Sequence, residues 1–276
     1  MQNYFLILLG AETLLLLVFV YLLIHKSRQL TRLFDEFSRL RKEESKLQVE
    51  QKRQDDFMPM LVHELRSPLS IIKGSSDLIL REANNLSRED IEKLLAQIRT
   101  SSTGLLKIVN DILDASKMES GIFKIEKVEG NMNALLEEER EYYNAKAKEK
   151  GINFALDLDS NLPRFKFDPD RIRQVMNNFL SNALKFTPEG GSVYIKSYKG
   201  SEGAVISVCD SGPGIPEEVK PKLFHKFVQM QNGTGKEKGT GLGLVIAKGI
   251  IEAHGGRVWI EDNNPRGAKF VFQLPL

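Results

Sequence analysis

The apolar residues of this chain fall into three successive patterns, and the first is an almost unbroken run. Residues 4–24 read YFLILLGAETLLLLVFVYLLI, with Glu12 and Thr13 as polar interruptions. A helix rises about 1.5 Å per residue, so a run of this length crosses a hydrocarbon core of about 30 Å. Three basic residues follow it: Lys26, Arg28 and Arg32. Because positive charge favours the cytoplasmic side, the pattern predicts one transmembrane helix over residues 1–25, with the rest of the chain in the cytoplasm. The role of Glu12 inside that span is left open.

In the second pattern, apolar residues recur every three or four positions. The first of these are Leu30, Leu33, Phe37, Leu40 and Leu47. With charged residues between them, this spacing predicts a helical coiled coil over residues 26–56. Residues 57–120 continue the period in two long stretches, separated by a turn near residues 82–88. A hairpin of two such helices cannot bury its apolar stripe alone, so we expect a dimer that forms a four-helix bundle.

The third pattern begins after Ser120 and Gly121 and mixes two periods. Alternating apolar residues predict strands at 152–158, 193–198, 205–210, 257–261 and 269–274. Helical spacing predicts helices between them at 133–150, 169–186 and 241–254. Asp168 followed by Pro169 is a typical helix start, with a side-chain cap and a proline at the first helical position. Residues 121–276 are therefore expected to form an independent α/β domain.

Composition excludes several classes of protein. The 276 residues are 41% hydrophobic and 28% charged, which is typical of a globular chain. Lysine and arginine number 39 against 37 acidic residues, so the net charge of +2 is too even for a chain that wraps nucleic acid. No direct nucleic-acid partner is expected. The single cysteine, Cys209, excludes an internal disulfide and a thiolate-rich metal site.

The predicted hairpin carries one candidate reactive group, in the segment HELRSPL at residues 63–69. With the neighbouring leucines in the core, His63 faces solvent, and Ser67 lies one turn further on the same face. An imidazole that is largely neutral at pH 7 is nucleophilic, and the carboxylate of Glu64 can take its proton. Pro68 is expected to bend the helix just beyond. An ordinary surface histidine is the alternative interpretation.

Several features point to an anion site, although the P-loop pattern fails because Gly235-Lys236 is followed by Glu237. Three glycines at alternate positions open a predicted helix and present backbone amides to an anion: Gly239, Gly241 and Gly243. Asn178, Asn182 and Lys185 fall on one face of the predicted helix over residues 169–186. Amides and an ammonium group in a row suit a hydrated Mg²⁺ and a polyphosphate, although an ordinary polar helix face is the alternative.

Asp210 ends an apolar strand and begins the segment DSGPGIP. A carboxylate at the end of a strand, beside flexible backbone, can accept a hydrogen bond from an exocyclic amine such as that of adenine. The alternative is a plain turn, since aspartate and glycine are common there for conformational reasons alone.

Taken in order, the segments HELRSPL, NNFLSNALKF, DSGPGIP, LFHKF and GTGLGL resemble the signature motifs of bacterial sensor histidine kinases. The resemblance covers residues 55–276. It implies a dimeric hairpin that carries the phosphoacceptor, followed by an α/β sandwich of the GHKL ATPase type, similar to gyrase B and mismatch-repair ATPases. The chain then divides into a membrane anchor, a coiled-coil linker, a dimerisation and phosphotransfer domain, and an ATP-binding domain, at residues 1–25, 26–56, 57–120 and 121–276.

Carried over by position, the resemblance implies roles for individual residues. Three hairpin residues would serve catalysis: His63 as the phosphorylated residue, Glu64 as its base, and Ser67. Four residues would bind Mg²⁺ and ATP: Asn182 and Asn178 at the metal, Lys185 at the phosphates and Asp210 at adenine. The remaining residues would shape the nucleotide pocket: Gly212, Gly214, Gly239, Thr240, Gly241, Leu242 and Gly243. Residues 229–238 would form the lid over ATP.

The function implied is that of a single-pass kinase of the bacterial inner membrane that autophosphorylates His63 with Mg-ATP. It would pass the phosphoryl group to an aspartate in the receiver domain of a response regulator. Ser67 stands where the family more often has Thr or Asn, which leaves phosphatase activity open. Two alternatives are a catalytically silent adaptor and a gyrase-type ATPase clamp. The intact His63 argues against a silent adaptor. A gyrase-type clamp would require a glutamate as general base where this chain has Asn178.

Overall fold

The computed structural model describes residues 2–225, 228 and 241–276, with side chains outside the description over residues 2–22 and at scattered positions up to 57. The chain forms two compact units, Met1–Pro59 and Met60–Leu276. In the first unit, helix α1 (Gln2–Glu82) exposes large apolar side chains: Leu30, Phe34, Phe37, Leu40 and Leu47. The helix is confirmed there, and the coiled-coil partner for this stripe stays a prediction.

The prediction of a single transmembrane helix over residues 1–25 is corrected. In the part of the chain that the structure describes, no helix is long and apolar enough to cross a membrane. The side chains at 4–22 and 24, which motivated the prediction, lie outside the described residues. The sequence argument took one apolar stretch as a complete element, whereas the helix that contains it continues through charged sequence for 81 residues in all.

The second unit begins with the helical hairpin, which consists of α1 from Met60 onward and α2 (Arg88–Glu119). A capping box starts α2, in which the Ser87 side chain accepts from the Asp90 amide and the Asp90 carboxylate accepts from the Ser87 amide. Between the helices, Ser75 Oγ donates to Gln97 Oε1 at 3.3 Å. Helix α1 continues without a break through Pro68, where we expected a bend.

The α/β domain follows the hairpin. Its helices are α3 (Met132–Glu149), α4 (Pro169–Phe186) and α5 (Gly243–Ala253), with a 3₁₀ helix at Lys220–Phe224. Its strands are β1 (Val128–Gly130), β2 (Asn153–Leu158), β3 (Phe165–Phe167), β4 (Ser192–Gly200), β5 (Gly203–Asp210), β6 (Arg257–Asp262) and β7 (Ala268–Leu274). The five strands predicted from alternation are confirmed within two residues at each end. The short strands β1 and β3 were not predicted, because three residues are too few to show a period.

The main sheet has the order β2-β4-β5-β7-β6, with β2 parallel to β4 and the other pairs antiparallel. Strands β1 and β3 form a separate antiparallel pair. Helix α4 supplies much of the core, because the apolar residues along one of its faces are fully buried: Ile172, Val175, Phe179 and Ala183. The Phe179 ring lies 5.3 Å from that of Phe270 and 6.2 Å from that of Phe272. The α/β fold expected after the hairpin is confirmed. The bounds 121–276 stay a prediction, since the hairpin from Met60 onward and the α/β fold belong to one compact unit.

The hairpin and the α/β domain meet near the C-terminal end of α2. Asp114 Oδ2 accepts hydrogen bonds from Arg171 Nη1 at 2.8 Å and Gln174 Nε2 at 2.9 Å. The Arg171 guanidinium also lies 4.7 Å from the centre of the Phe123 ring. Met118 Sδ packs against Gly249, where a Cβ atom would collide with it. A partly buried ion pair and close packing therefore hold the α/β domain against the hairpin of its own chain.

Candidate active site

The hairpin presents His63 to solvent, as its spacing predicted. His63 and Ser67 are exposed on α1, while Glu64 is half-buried and Leu61 is 9% exposed. Residues four apart on a helix share a face, so the hydroxyl of Ser67 stands one turn from the imidazole. The structure thus leaves the imidazole accessible to a reactant from outside the hairpin.

Helix α4 begins where Asp168 and Pro169 predicted. The Asp168 carboxylate accepts from the Arg171 amide at 3.1 Å and from the Glu126 amide at 2.8 Å. The Asp168 amide in turn donates to Nε2 of buried His254 at 3.0 Å, and His254 Nδ1 donates to the Ile250 carbonyl. Burial lowers the pKa of His254, which keeps the neutral ring this arrangement needs. His254 was missed by sequence reasoning, because its partners come from a distant segment.

The two asparagines on the polar face of α4 differ in burial. Asn178 is 5% exposed, and its Nδ2 donates to the carbonyl of Gly243 at 2.9 Å. A Cβ on Gly243 would lie 2.9 Å from Asn178 Oδ1, so glycine permits this close approach. Asn178 therefore fixes the first residue of α5 against α4. Asn182, one turn further along, is half-buried.

Lys185 lies at the last turn of α4, on the face of Asn178 and Asn182. Its ammonium group is 5.5 Å from the centre of the Phe186 ring. Three residues of the predicted row are thus brought together on one helix face. Their order places the buried structural amide first, the half-buried amide next and the cation at the helix end.

Asp210 ends β5 and is 4% exposed. Its Oδ1 accepts from the Gly212 amide at 2.8 Å and from the Ala268 amide at 3.2 Å. Among the described residues, Oδ2 accepts no hydrogen bond, and this oxygen is not sealed from solvent. Burial raises the pKa of Asp210, and the two amide bonds oppose that shift. One oxygen is thus fixed and the other is offered to a ligand that can donate.

The glycines after Asp210 let the backbone turn closely around it. A Cβ on Gly212 would lie 2.8 Å from Asp210 Oδ1, and Gly214 has φ of 80°. Beside this turn is a cavity of about 600 Å³. Its lining includes Phe186, Gly214, Ile215, Asp262 and Gly267. Residues 213–216 of the segment DSGPGIP therefore line the cavity, and Asp210 lies just before them in the chain without lining it.

The cavity lining also includes residues that the sequence did not single out. Asn263 Nδ2 donates to the Asp210 carbonyl at 2.8 Å, and Asn263 Oδ1 accepts from Tyr194 Oη at 2.9 Å. This corner between β6 and β7 carries no motif of its own. Its contribution depends on strand order, which brings β7 beside β5.

Part of the predicted phosphate-binding turn cannot be located. Gly239, Thr240 and the predicted lid at 229–238 lie outside the described residues. Gly241 has φ of 69°, Leu242 is 2% exposed, and Gly243 begins α5. The start of α5 lies against Asn178, through the hydrogen bond to the Gly243 carbonyl.

The side chains fit a nucleotide with a hydrated divalent cation better than a cation held by protein alone. Within residues 2–225, 228 and 241–276, no cluster of three His, Cys, Asp or Glu side chains could hold a metal ion. Mg²⁺ usually keeps several waters and takes few protein ligands beside substrate phosphates. Asn182 and Asn178 as ligands of Mg²⁺ stay predictions.

Comparison with known proteins identifies relatives of both parts. The His Kinase A (phospho-acceptor) domain matches residues 53–121, and the histidine kinase-, DNA gyrase B- and HSP90-like ATPase family matches residues 167–276. The adaptive-response sensory kinase SasA of Crocosphaera subtropica is 35% identical over 255 residues, covering 91% of this chain and 66% of SasA. The chain spans about two thirds of the length of its SasA relatives.

Two solved structures are similar in fold and in sequence. Full-length ShkA in complex with AMPPNP gives a TM-score of 0.61 at 31% identity, covering 80% of this chain and 45% of ShkA. The histidine kinase ThkA in complex with the response regulator protein TrrA gives a TM-score of 0.56 at 30% identity, covering 83% of this chain and 66% of the ThkA chain.

Proposed function

This chain belongs to the histidine kinase family of two-component signalling, and we propose that it transfers the terminal phosphoryl group of Mg-ATP to its own His63. One observation carries the proposal: an exposed imidazole on a hairpin and a partly satisfied buried carboxylate beside a cavity belong to the same chain. The first suits an acceptor and the second suits a site for an adenine nucleotide.

The nucleotide end is assigned by donor and acceptor chemistry. Asp210 Oδ2 accepts a hydrogen bond from the exocyclic amine of adenine, while its Oδ1 stays on the Gly212 amide. Lys185 neutralises phosphate charge, and Asn182 provides an oxygen to Mg²⁺, whose contribution is to offset charge on the transferring group. Phosphoryl transfer depends on positioning and charge neutralisation, which these groups supply. ShkA, a relative solved with AMPPNP, supports an ATP-type ligand.

The acceptor of the phosphoryl group is His63, which acts as the nucleophile. The lone pair of one ring nitrogen forms a bond to the γ-phosphorus, and the bond between that phosphorus and the β–γ bridging oxygen breaks. ADP leaves with that electron pair. Glu64 accepts the proton from the second ring nitrogen, which gives a neutral phosphorylated imidazole.

The phosphoryl group then passes to an aspartate carboxylate of a response regulator, and the imidazole is regenerated. The complex of ThkA with the response regulator TrrA supports this class of partner. We propose a homodimer as the working state, since the hairpin exposes apolar side chains in the single chain: Val62, Leu69, Leu78, Leu95, Leu106 and Leu113. We further propose that the hydroxyl of Ser67, exposed one helical turn from His63, orders a water for dephosphorylation of the partner.

The test is incorporation of label from γ-labelled ATP with Mg²⁺. We expect His63→Gln to abolish labelling, while His25→Gln, a matched exposed histidine on the same helix, labels like the parent. Glu64→Ala should slow labelling and leave ATP affinity unchanged. Labelling that persists in His63→Gln would refute the proposal.

A further inference from the structure

Lys220 is a buried cation beside the cavity. It begins the 3₁₀ helix at Lys220–Phe224 and is 8% exposed. Its ammonium group lies 2.8 Å from Asp262 Oδ1 and also pairs with the carboxylate of Glu217. A lysine is rarely buried this deeply unless it is paired, because an isolated ammonium group loses its hydration. The pairing therefore explains its burial and not yet its purpose.

Asp262, the partner of Lys220, is linked to the adenine-binding carboxylate in two steps. Asp262 ends β6 and is paired in register with Ala268 of β7. The Ala268 amide is one of the two donors to Asp210 Oδ1. The next residue, Asn263, donates its side-chain amide to the carbonyl of Asp210 at 2.8 Å. The corner held by Lys220 thus supplies two of the hydrogen bonds that place Asp210.

The same cation links two segments that line the cavity. Pro216 belongs to the segment that follows the glycine turn, and Asp262 belongs to the end of β6. Lys220 binds Asp262 from a helix that begins four residues after Pro216, and that helix is tied back by a hydrogen bond from the Lys220 amide to the Pro216 carbonyl at 3.2 Å. The ion pair consequently links the segment after the glycine turn to the end of β6.

We infer that Lys220 is a positioning residue for nucleotide binding, which acts through Asp262 to hold the β6–β7 corner where it aligns Asp210 with the ligand. The inference rests on the proposed function, because it takes the ligand of Asp210 to be ATP. The two carboxylates raise the pKa of Lys220, so the group stays a cation throughout the physiological range. Lys220 itself need not touch the nucleotide.

The experiment compares Lys220→Met with Lys222→Met, an exposed lysine of the same short helix. We expect Lys220→Met to raise the KM for ATP about three- to tenfold with kcat within about twofold, whereas Lys222→Met leaves both unchanged. Affinity for a fluorescent ATP analogue should fall by the same factor without turnover. Asp262→Asn should reproduce the effect, and the double variant should be no weaker than either single one, since both remove the same link.

The outcomes separate this inference from the proposed function. If the parent protein labels His63 and Lys220→Met keeps its ATP affinity, the inference is wrong and the proposed function stands. A Lys220→Met protein that only melts at lower temperature, with unchanged affinity, would show a purely structural role. Should that variant fail to fold, Asp262→Asn decides. If the parent protein binds no ATP analogue, both proposals fail.

Discussion

Replacing Asp210 with asparagine should weaken ATP binding without unfolding the site. Asparagine has nearly the same shape, and its carbonyl oxygen can still accept from the amides of Gly212 and Ala268, which now lie 2.8 and 3.2 Å from Oδ1. What changes is the position of Oδ2, because this acceptor oxygen is replaced by an amino group that faces the donating amine of adenine. The variant should therefore keep the shape of the pocket and lose the hydrogen bond to the exocyclic amine of adenine.

The size of the loss follows from the type of bond. A hydrogen bond to a charged group contributes about 1.5–3 kcal/mol, which corresponds to an affinity about 10- to 150-fold weaker. Since burial raises the pKa of Asp210, the charged group is costly in the nucleotide-free protein. Asp210→Asn should consequently melt at the same temperature as the parent or higher when no nucleotide is present.

The assay is titration with ATP or a slowly hydrolysed analogue, with thermal unfolding of the nucleotide-free protein as the companion measurement. Asp170→Asn, an exposed aspartate in the first turn of α4, is the matched control and should bind like the parent. Affinity of the parent should also fall as the pH is lowered, from a higher pH than an ordinary aspartate would give, because the raised pKa lets Asp210 protonate earlier. Unchanged affinity in Asp210→Asn would refute the assignment.

Three further predictions address the surroundings of the site. Gly243→Ala would place a Cβ 2.9 Å from Asn178 Oδ1, so labelling and stability should both fall; labelling and a melting temperature equal to those of the parent would contradict this. Burial raises the pKa of Asp111 to about 6 in the folded protein, above the ordinary pKa it has in the unfolded chain. The charged carboxylate therefore lowers the free energy of unfolding above pH 6, and this loss of stability disappears below the unfolded-state pKa, where both states are protonated. Asp111→Asn should thus unfold later in urea at pH 7.5, by at most about 3 kcal/mol, with no gain near pH 4. Arg171→Ala leaves Asp114 with only Gln174, so proteolysis after the hairpin should accelerate; an unchanged rate would mean the contact does not hold the domain.

Much of the scaffold follows from local sequence. Helix α4 begins and ends as predicted because Asp168 caps it, Pro169 fits its first turn, and an apolar stripe marks its buried face. Strands of the main sheet follow from alternation. Strands β1 and β3 leave no comparable signal, since their three residues gain their place only by pairing with each other.

In the candidate site, too, features set by local sequence could be predicted and contacts between distant segments could not. The burial of Asp210 has no signal in a strand period, since all eight residues of β5 are buried, whereas the exposure of His63 could be predicted from the period of its helix. The bond from Asn178 to Gly243 could not, because it joins segments 65 residues apart. The membrane span is the instructive error: an apolar run was taken as a separate element, although the described structure contains no helix fit to cross a membrane.

The most direct test of the account is to locate the phosphoryl group after incubation of the full chain with Mg-ATP. Tandem mass spectrometry at neutral pH should find it on the peptide containing His63, on the imidazole, and mild acid should remove it while base leaves it in place. A phosphoryl group on a serine or threonine hydroxyl, stable in acid, would contradict the central claim.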